Sequence, residues 1–365
     1  MKKATLALAC GETFEGFACG APGEAQGEVV FNTSHTGYQE ILTDPSYAGQ
    51  LVTFTVAELG NYGIHHGDEQ AEAPQVAGFI ARRVSREPSN WRSDESLPAW
   101  LARHGVVGIE GIDTRRLVRV LRSSGAQQGI IDSSGASPAA LVERARRLPG
   151  MEGQDLANKV SCKKPYPWTQ GVAGREPQPA RLDVVVVDYG VKRGILRQLV
   201  DSGCRVQVVP SRTPAAEILA QKPHGVVLSN GPGDPAATVG ADRQAAELLG
   251  KVPVLGICLG HQILSLAVGG KTYKLKFGHR GANHPVRDLI GHSIDMTSQN
   301  HGFSADEGSL RGKAQVTHRN LYDGTVEGIA VPEARMFAVQ YHPEDSPGPH
   351  DSRYLFRRFL QLIEG

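Results

Sequence analysis

The residues around Cys258 have the types and spacing needed for nucleophilic chemistry. Cys258 lies in the run VPVLGICLGHQ (252–262), where an apolar stretch ends and a glycine stands two residues before and two residues after the cysteine. This spacing is typical of a nucleophile elbow, a tight strand-to-helix turn that exposes the nucleophile. The helix that follows would offer free N–H groups and a positive dipole end, which favour a thiolate. The N–H of Leu259 is then a natural oxyanion donor.

The alternative for Cys258 is a small core residue, which is what most free cysteines are. The paired glycines at a strand end favour the elbow instead. The chain has five scattered cysteines and no C-x-x-C pair. That odd, unpaired set argues against a disulfide framework or a zinc site and suits a reducing cytosol. We therefore expect a cytoplasmic protein with no bound metal.

A base for the thiol is predicted near the other end of the chain. Residues 336–341 have a strand pattern, His342 follows them, Pro343 ends the strand, and Glu344 comes two residues after the histidine. A thiolate in acyl transfer needs a base, and the base needs an orienting group. Among 13 histidines, His342 alone combines a strand end with a carboxylate at i+2. These features predict a triad of Cys258, His342 and Glu344.

A second glycine turn, NGPGDP at 230–235, offers backbone with little side-chain obstruction. Glycine turns at strand ends often bind anions, so a phosphate cradle is one interpretation. The turn lacks the Lys-Ser/Thr of a P-loop and the G-x-G-x-x-G of a dinucleotide fold. A donor surface for a substrate or an oxyanion beside Cys258 fits better.

Both glycine turns lie at the ends of predicted strands in one α/β sheet. Strand and helix patterns alternate from the β-branched run LDVVVVDYG at 182–190, through RVQVVP, TPAAEILAQ and HGVVLSNGPGD, to VPVLGICLG. Such alternation predicts a doubly wound parallel sheet. In these sheets ligands bind beyond the carboxyl ends of the strands, so the two turns locate the predicted site.

Two domains and a linker are predicted. Residues 1–160 combine short alternating strands, such as GQLVTFTVA near 50–57, with a helix in DTRRLVRVLRSSG, which indicates a β-rich α/β domain. Residues 161–180 hold four prolines and no apolar periodicity, as a linker does. Residues 181–365 form the doubly wound domain. The apolar run 4–10 is at the short limit for a signal peptide and fits a first strand better.

The composition is that of a globular protein. The chain has 365 residues, 40% hydrophobic and 21% charged, with a formal net charge of +1. That balance gives no reason to expect nucleic acid or an anionic membrane surface as a partner. No stretch approaches the ~18 apolar residues of a membrane-spanning helix, so no membrane association is expected.

The motifs NGPGDP, GICLGHQ and HPE, in that order on an α/β sheet, resemble the class I, triad-type glutamine amidotransferase family. In that family a cysteine attacks the side-chain amide of glutamine, forms a γ-glutamyl thioester and releases ammonia, and water then releases glutamate. The resemblance implies that Cys258 is the nucleophile, His342 the acid and base, and Glu344 its orienting partner.

Further stretches resemble the small-subunit family of carbamoyl phosphate synthetase. They are GEVVFNTSHTGYQEILTDPSYAGQ, GNYG, GIDTRRLVRVLR, DYGVKRGILRQL, KFGHRGANHPV, SQNHGF and HPEDSPGPHD. The match covers nearly the whole chain, including an N-terminal domain that stand-alone amidotransferases lack. Two positions depart from the family pattern: VAEL at 56–59 replaces a tyrosine-proline pair, and Tyr341 replaces a frequent glycine. The first could alter packing or a subunit contact, and the second could reshape the pocket edge.

The resemblance also implies contacts with the substrate, L-glutamine. They are Ser46, Gly231, Gly233, Leu259, Gln262, Asn300, Gly302 and Phe303. Backbone N–H and C=O groups at such positions can hold the α-amino and α-carboxylate groups of glutamine. Without the resemblance, Ser46 beside Pro45 would be an ordinary turn residue.

A separate large subunit is a further implication, since nothing in the chain reads as an ATP-grasp synthetase. Ammonia would pass to that subunit, which would use ATP, Mg²⁺ and bicarbonate to make carbamoyl phosphate for arginine and pyrimidine biosynthesis. No cofactor is expected on this chain. Two alternatives remain: a stand-alone cysteine γ-glutamyl hydrolase, which the N-terminal domain and SQNHGF argue against, and a non-catalytic regulatory module, which the intact triad argues against.

Overall fold

The structure is a computed structural model that describes residues 1–365. Contacts between residues divide the chain into two compact units. The first unit comprises Met1–Met151 and Lys276–Arg280, and the second comprises Glu152–Leu275 and Gly281–Gly365.

The first unit is built on a closed seven-stranded β-barrel. Its strands are β1 (Lys3–Leu8), β2 (Thr13–Gly20), β3 (Glu24–Asn32), β4 (Gln50–Phe54), β5 (Gly78–Ile80), β6 (Val107–Glu110) and β7 (Gln127–Asp132). Around the barrel they follow the order β1-β2-β6-β5-β4-β3-β7. The apolar run that opens the sequence is β1, with Leu6 and Leu8 fully buried. The strand-rich N-terminal domain predicted from the sequence is confirmed.

Four helices accompany the barrel: α1 (Tyr38–Thr43), α2 (Leu97–Arg103), α3 (Thr114–Ser124) and α4 (Pro138–Arg146). Their starts have local chemical causes. Asp113 accepts a hydrogen bond from the N–H of Arg116 at the start of α3, and Ser137 caps α4 in the same way. Leu117 and Leu121, one turn apart on α3, are fully buried in the barrel's core cluster.

The second unit contains the ten-stranded sheet and seven helices. Its strands are β8 (Tyr166–Trp168), β9 (Leu182–Asp188), β10 (Cys204–Pro210), β11 (Gly225–Leu228), β12 (Val254–Ile257), β13 (Thr272–Asp288), β14 (Ile294–Ala305), β15 (Gln315–Asn320), β16 (Val326–Val331) and β17 (Met336–Val339). Within β13, Lys276–Arg280 count with the first unit. Its helices are α5 (Ala157–Val160), α6 (Arg193–Asp201), α7 (Ala215–Ala220), α8 (Ala241–Leu248), α9 (Leu259–Ala267), α10 (Glu307–Leu310) and α11 (Tyr354–Glu364).

Five neighbouring strands, in the order β17-β12-β11-β9-β10, run parallel and form the centre of this sheet. The β-branched run of β9 is buried on both faces. Val184 and Val186 belong to one core cluster with α6 and α11, while Val185 and Val187 belong to another with α8 and α9. Burial on both faces explains why this run lacks a polar alternation. The predicted doubly wound parallel α/β fold is confirmed.

The proline-rich segment 161–180, predicted to be a linker, counts with the second unit. It contains β8, which pairs antiparallel with β10 as the last strand of the sheet. Prolines are tolerated in edge strands because only one side of the strand is paired. This explains how a segment without apolar periodicity joins the sheet. No helix of the chain is both long and apolar enough to cross a membrane.

Candidate active site

Cys258 lies at the turn between β12 and α9, at the carboxyl end of a central parallel strand. Its backbone has φ 54° and ψ −102°, in the region that side chains rarely adopt. The N–H of Cys258 donates to the carbonyl of Val339 at 2.9 Å, which ties the turn to the end of β17. The thiol is buried, and Sγ lies 3.5 Å from the carbonyl oxygen of Asn300.

The two flanking glycines are required by close backbone approaches. A Cβ on Gly256 would lie 2.8 Å from the carbonyl oxygen of Gly260, and a Cβ on Gly260 would lie 2.1 Å from the carbonyl oxygen of Leu228. The N–H of Gly260 donates to the carbonyl of Ser229. The N–H of Leu259, at the first turn of α9, donates to no protein group, so it is available to an oxyanion.

His342 and Glu344 follow β17, the strand that neighbours β12. Nδ1 of His342 lies 2.8 Å from Oε1 of Glu344, and both side chains are almost completely buried. The N–H of His342 donates to the carbonyl of Ser298 at 2.9 Å. Nε2 of His342 has no partner at hydrogen-bond distance, yet Cys258 is close enough to raise the pKa of the imidazole. The structure therefore brings the three predicted triad residues together.

Lys192, between β9 and α6, completes this chain of charges. Its Nζ lies 2.8 Å from Oε1 of Glu344 and donates to the carbonyl of Asp345 at 2.8 Å. A lysine that is 2% exposed must be paired to remain charged there. The sequence analysis missed it; its only sequence signal is a cation four residues after the end of a buried strand.

The ionisation of this group is set by burial and by its own charges. Burial raises the pKa of Glu344, but Lys192 and His342 outweigh it and bring the pKa down to about 2. Burial lowers the pKa of His342, and the charge of Lys192 lowers it further, but Glu344 and Cys258 together outweigh them and raise the pKa to about 10. At neutral pH the site thus holds a carboxylate and an imidazolium beside Cys258.

The NGPGDP turn lies against the start of α9. A Cβ on Gly231 would lie 2.2 Å from the carbonyl oxygen of Tyr189 and 2.9 Å from Cδ2 of Leu259. Gly233 has φ 95°, and its Cβ would lie 2.7 Å from the carbonyl oxygen of Gln154. No side chain fits at either position, so the turn presents bare backbone next to the elbow.

Gln262 connects α9 to β14. Its Nε2 donates to the carbonyl of Phe303 at 2.9 Å and to Oε1 of Gln340 at 3.0 Å. The carbonyl of Asn300 therefore contacts Cys258 and the carbonyl of Phe303 contacts Gln262, and Gly302 lies between them, half-buried on β14. Gln340 was not predicted, because one glutamine in an apolar strand carries no motif.

Two further residues raised by the sequence are Ser46 and Tyr341. Ser46 belongs to the first unit, in a single turn of 3₁₀ helix (Pro45–Tyr47), where its N–H donates to Oδ1 of Asp44. Tyr341 is fully buried in a core cluster, and its ring meets His318 edge-on with centroids 5.8 Å apart. Successive side chains of an extended segment point to opposite faces, which separates Tyr341 from His342. Leu59, in the departing VAEL segment, packs in the first unit's core.

Comparison with known families agrees with this geometry. Residues 185–362 match the family described as glutamine amidotransferase class-I, which makes the second unit a glutamine amidotransferase domain. Residues 6–131 match the family described as carbamoyl-phosphate synthase small chain, CPSase domain.

Relatives over the full length identify the particular family. The chain is 54% identical to the carbamoyl phosphate synthase small chain of Syntrophotalea carbinolica, over 99% of this chain and 98% of that protein. It is 49% identical to the corresponding protein of Aquifex aeolicus, over 100% of both. The chain therefore belongs to the carbamoyl phosphate synthase small chain family. Membership confirms the predicted glutamine amidotransferase activity and implies a large synthetase partner.

Proposed function

We propose that this chain hydrolyses glutamine for carbamoyl phosphate synthesis, with Cys258 as nucleophile, His342 as acid and base, and Glu344 as its orienting partner. The observation that carries the proposal is that Cys258 is buried close enough to His342 to raise the imidazole's pKa, while Nδ1 of His342 lies 2.8 Å from Oε1 of Glu344, all at the carboxyl ends of β12 and β17. Thiolate chemistry needs no metal or cofactor on this chain.

In the first half of the reaction, the Cys258 thiolate attacks the side-chain carbonyl carbon of glutamine. The oxygen of the tetrahedral intermediate takes the negative charge, and the free N–H of Leu259 is placed to stabilise it. His342 gives its proton to the departing nitrogen. The C–N bond breaks, ammonia leaves, and a γ-glutamyl thioester remains on Cys258.

In the second half, water attacks the thioester and His342 takes the proton from that water. The C–S bond breaks, glutamate leaves, and the thiolate and imidazolium are restored. Glu344 holds the ring through Nδ1 in both halves, so Nε2 faces the reacting atoms.

Substrate binding is assigned to the glycine turn, the start of α9 and the neighbouring segment of β14. The residues are Gly231, Gly233, Leu259, Gln262, Asn300, Gly302 and Phe303, with Ser46 from the first unit. L-Glutamine is the proposed ligand. The proposed partner is a large ATP-grasp subunit in the cytoplasm, which uses the ammonia with bicarbonate, ATP and Mg²⁺.

The test is carbamoyl phosphate synthesis by the complex of this chain with a large subunit. We expect Cys258→Ala to abolish synthesis from glutamine and to leave synthesis from added ammonia intact, because the thiol acts only in releasing ammonia. Cys204→Ala is the matched control, since Cys204 is another buried cysteine of the second unit and should keep both activities.

Three other outcomes would each contradict a different part of the proposal. Near-normal use of glutamine by the Cys258→Ala complex would refute the nucleophile. A rate of glutamine hydrolysis that does not change when the large subunit is added would indicate a stand-alone γ-glutamyl hydrolase. A wild-type complex that uses only ammonia would indicate a non-catalytic module.

A further inference from the structure

Gln340 lies between the nucleophile and one of the proposed substrate contacts. It follows β17, two residues before His342, and its side chain is completely buried. Its N–H donates to the carbonyl of Glu327 at 2.8 Å, which fixes the backbone. A buried carboxamide is costly unless its polar atoms are paired, so both ends of this side chain need partners.

The acceptor end of Gln340 determines which way the Gln262 carboxamide faces. Oε1 of Gln340 accepts one hydrogen from Nε2 of Gln262 at 3.0 Å, and the carbonyl of Phe303 accepts the other at 2.9 Å. Both donor positions of Gln262 are therefore occupied by protein groups. Its Oε1 accepts no hydrogen bond from the protein and is left to a ligand. Gln262 can consequently act on a substrate only as an acceptor.

The donor end of Gln340 faces the nucleophile. Its Nε2 lies 3.7 Å from Sγ of Cys258, within hydrogen-bond reach of sulfur. Thiol sulfur is a weak acceptor, and a hydrogen bond becomes stronger when the acceptor is ionised. The contact is therefore stronger while the sulfur carries a negative charge.

His261, the titratable side chain next to Gln262 on α9, adds no charge to this arrangement. His261, beside Gln262, is completely buried, and burial lowers its pKa to about 3 while Gln340 has a smaller opposite effect. The imidazole of His261 is therefore neutral. The charged groups that face the sulfur and its surroundings are His342, Glu344 and Lys192.

We propose that Gln340 is a positioning residue with two tasks: it holds the Gln262 carboxamide as an acceptor for an N–H group of the substrate, and it donates a hydrogen bond to the Cys258 sulfur. Glutamine offers two such N–H groups, the α-ammonium and the side-chain carboxamide. The proposal rests on the glutaminase function proposed above.

Two substitutions that nearly keep the size of the Gln340 side chain separate its two proposed tasks. Gln340→Met removes both ends, so we expect KM for glutamine to rise and kcat to fall, with kcat/KM lower by roughly 10- to 100-fold. Gln340→Glu keeps an acceptor for Gln262 but removes the donor to sulfur, so kcat should fall while KM stays near wild type. Alkylation of Cys258 by iodoacetamide should slow in both, with Cys258→Ala as the reference for the reaction of the other free cysteines, such as the exposed Cys10.

A double-substitution cycle distinguishes positioning from a general packing defect. If Gln340 sets KM through Gln262, then Gln262→Met and the Gln262→Met/Gln340→Met pair should have nearly the same KM. Gln198→Met, a buried glutamine of α6, is the matched control and should keep wild-type kinetics. Circular dichroism and thermal unfolding establish that each variant is folded.

The inference would be overturned by KM effects that simply add in the pair, or by alkylation at the wild-type rate in both Gln340 variants. Should Gln340→Met not fold, Gln340→Glu carries the test, and a KM raised as much as kcat is lowered would refute the assignment. Failure of the proposed function is distinguishable, because it would show in the wild-type complex as absence of glutamine-dependent synthesis.

Discussion

Replacing Lys192 by methionine tests whether the ion pair between Lys192 and Glu344, the partner of His342, is necessary for stability. Nζ of Lys192 makes an ion pair with Glu344 and donates to the Asp345 carbonyl, each at 2.8 Å. Methionine fills similar space but removes the charge and both hydrogen bonds. The Glu344 carboxylate, 0% exposed, would then keep His342 as its single cationic partner.

The expected loss of stability is large because both charges are buried and water does not screen them. Removing one partner of a buried ion pair typically destabilises a protein by about 3–5 kcal/mol. Lys192→Met/Glu344→Gln should be less destabilised than Lys192→Met alone, because the neutral amide leaves no unpaired buried charge. Lys251→Met, at an exposed lysine, is the control and should change stability by less than about 0.5 kcal/mol.

Chemical denaturation at pH 7, with glutamine hydrolysis measured in parallel, provides the assay. Glu344 has a folded pKa below its unfolded value of 4.5, so its contribution is present above pH 4.5 and is lost as the pH falls through about 2. Without Lys192 the folded pKa of Glu344 should lie closer to 4.5, so the loss should be smaller and should be complete at a higher pH. The reasoning would be refuted if Lys192→Met were as stable as Lys251→Met, or if the double variant were less stable than the single one.

Two further predictions concern the imidazole and the elbow. The folded pKa of His342 is raised from 6.5 to about 10, so its stabilisation is full below pH 6.5 and is lost as the pH rises through about 10. The difference in unfolding free energy between wild type and Glu344→Gln should therefore shrink from pH 7 to pH 10; a constant difference would contradict this. Gly260→Ala should lower the melting temperature sharply or prevent folding, because its Cβ would lie 2.1 Å from a backbone oxygen, whereas Gly308→Ala, with its nearest atom at 3.4 Å, should melt like wild type.

Local patterns predicted much of the second unit. The runs at 182–190 and 252–262 contain β9 and β12, and the strand predicted at 336–341 is β17 with two extra residues. Strands buried on both faces are continuous apolar runs, and elbow glycines have a fixed spacing, so both features can be recognised from the sequence. The barrel of the first unit was not predicted beyond its richness in strands. Its closure depends on pairings such as β2 with β6, which join residues far apart in the chain.

The sequence by itself predicted Cys258 as the nucleophile and determined its glycine bracket, the order of the motifs and the family, because these depend on residue type and short-range spacing. Only the tertiary structure decided which distant groups complete the site. Lys192 reaches Glu344 across 152 positions and Gln340 reaches Cys258 across 82. Neither contact has a local signal, since a buried charge or carboxamide is defined by the partners that folding brings to it.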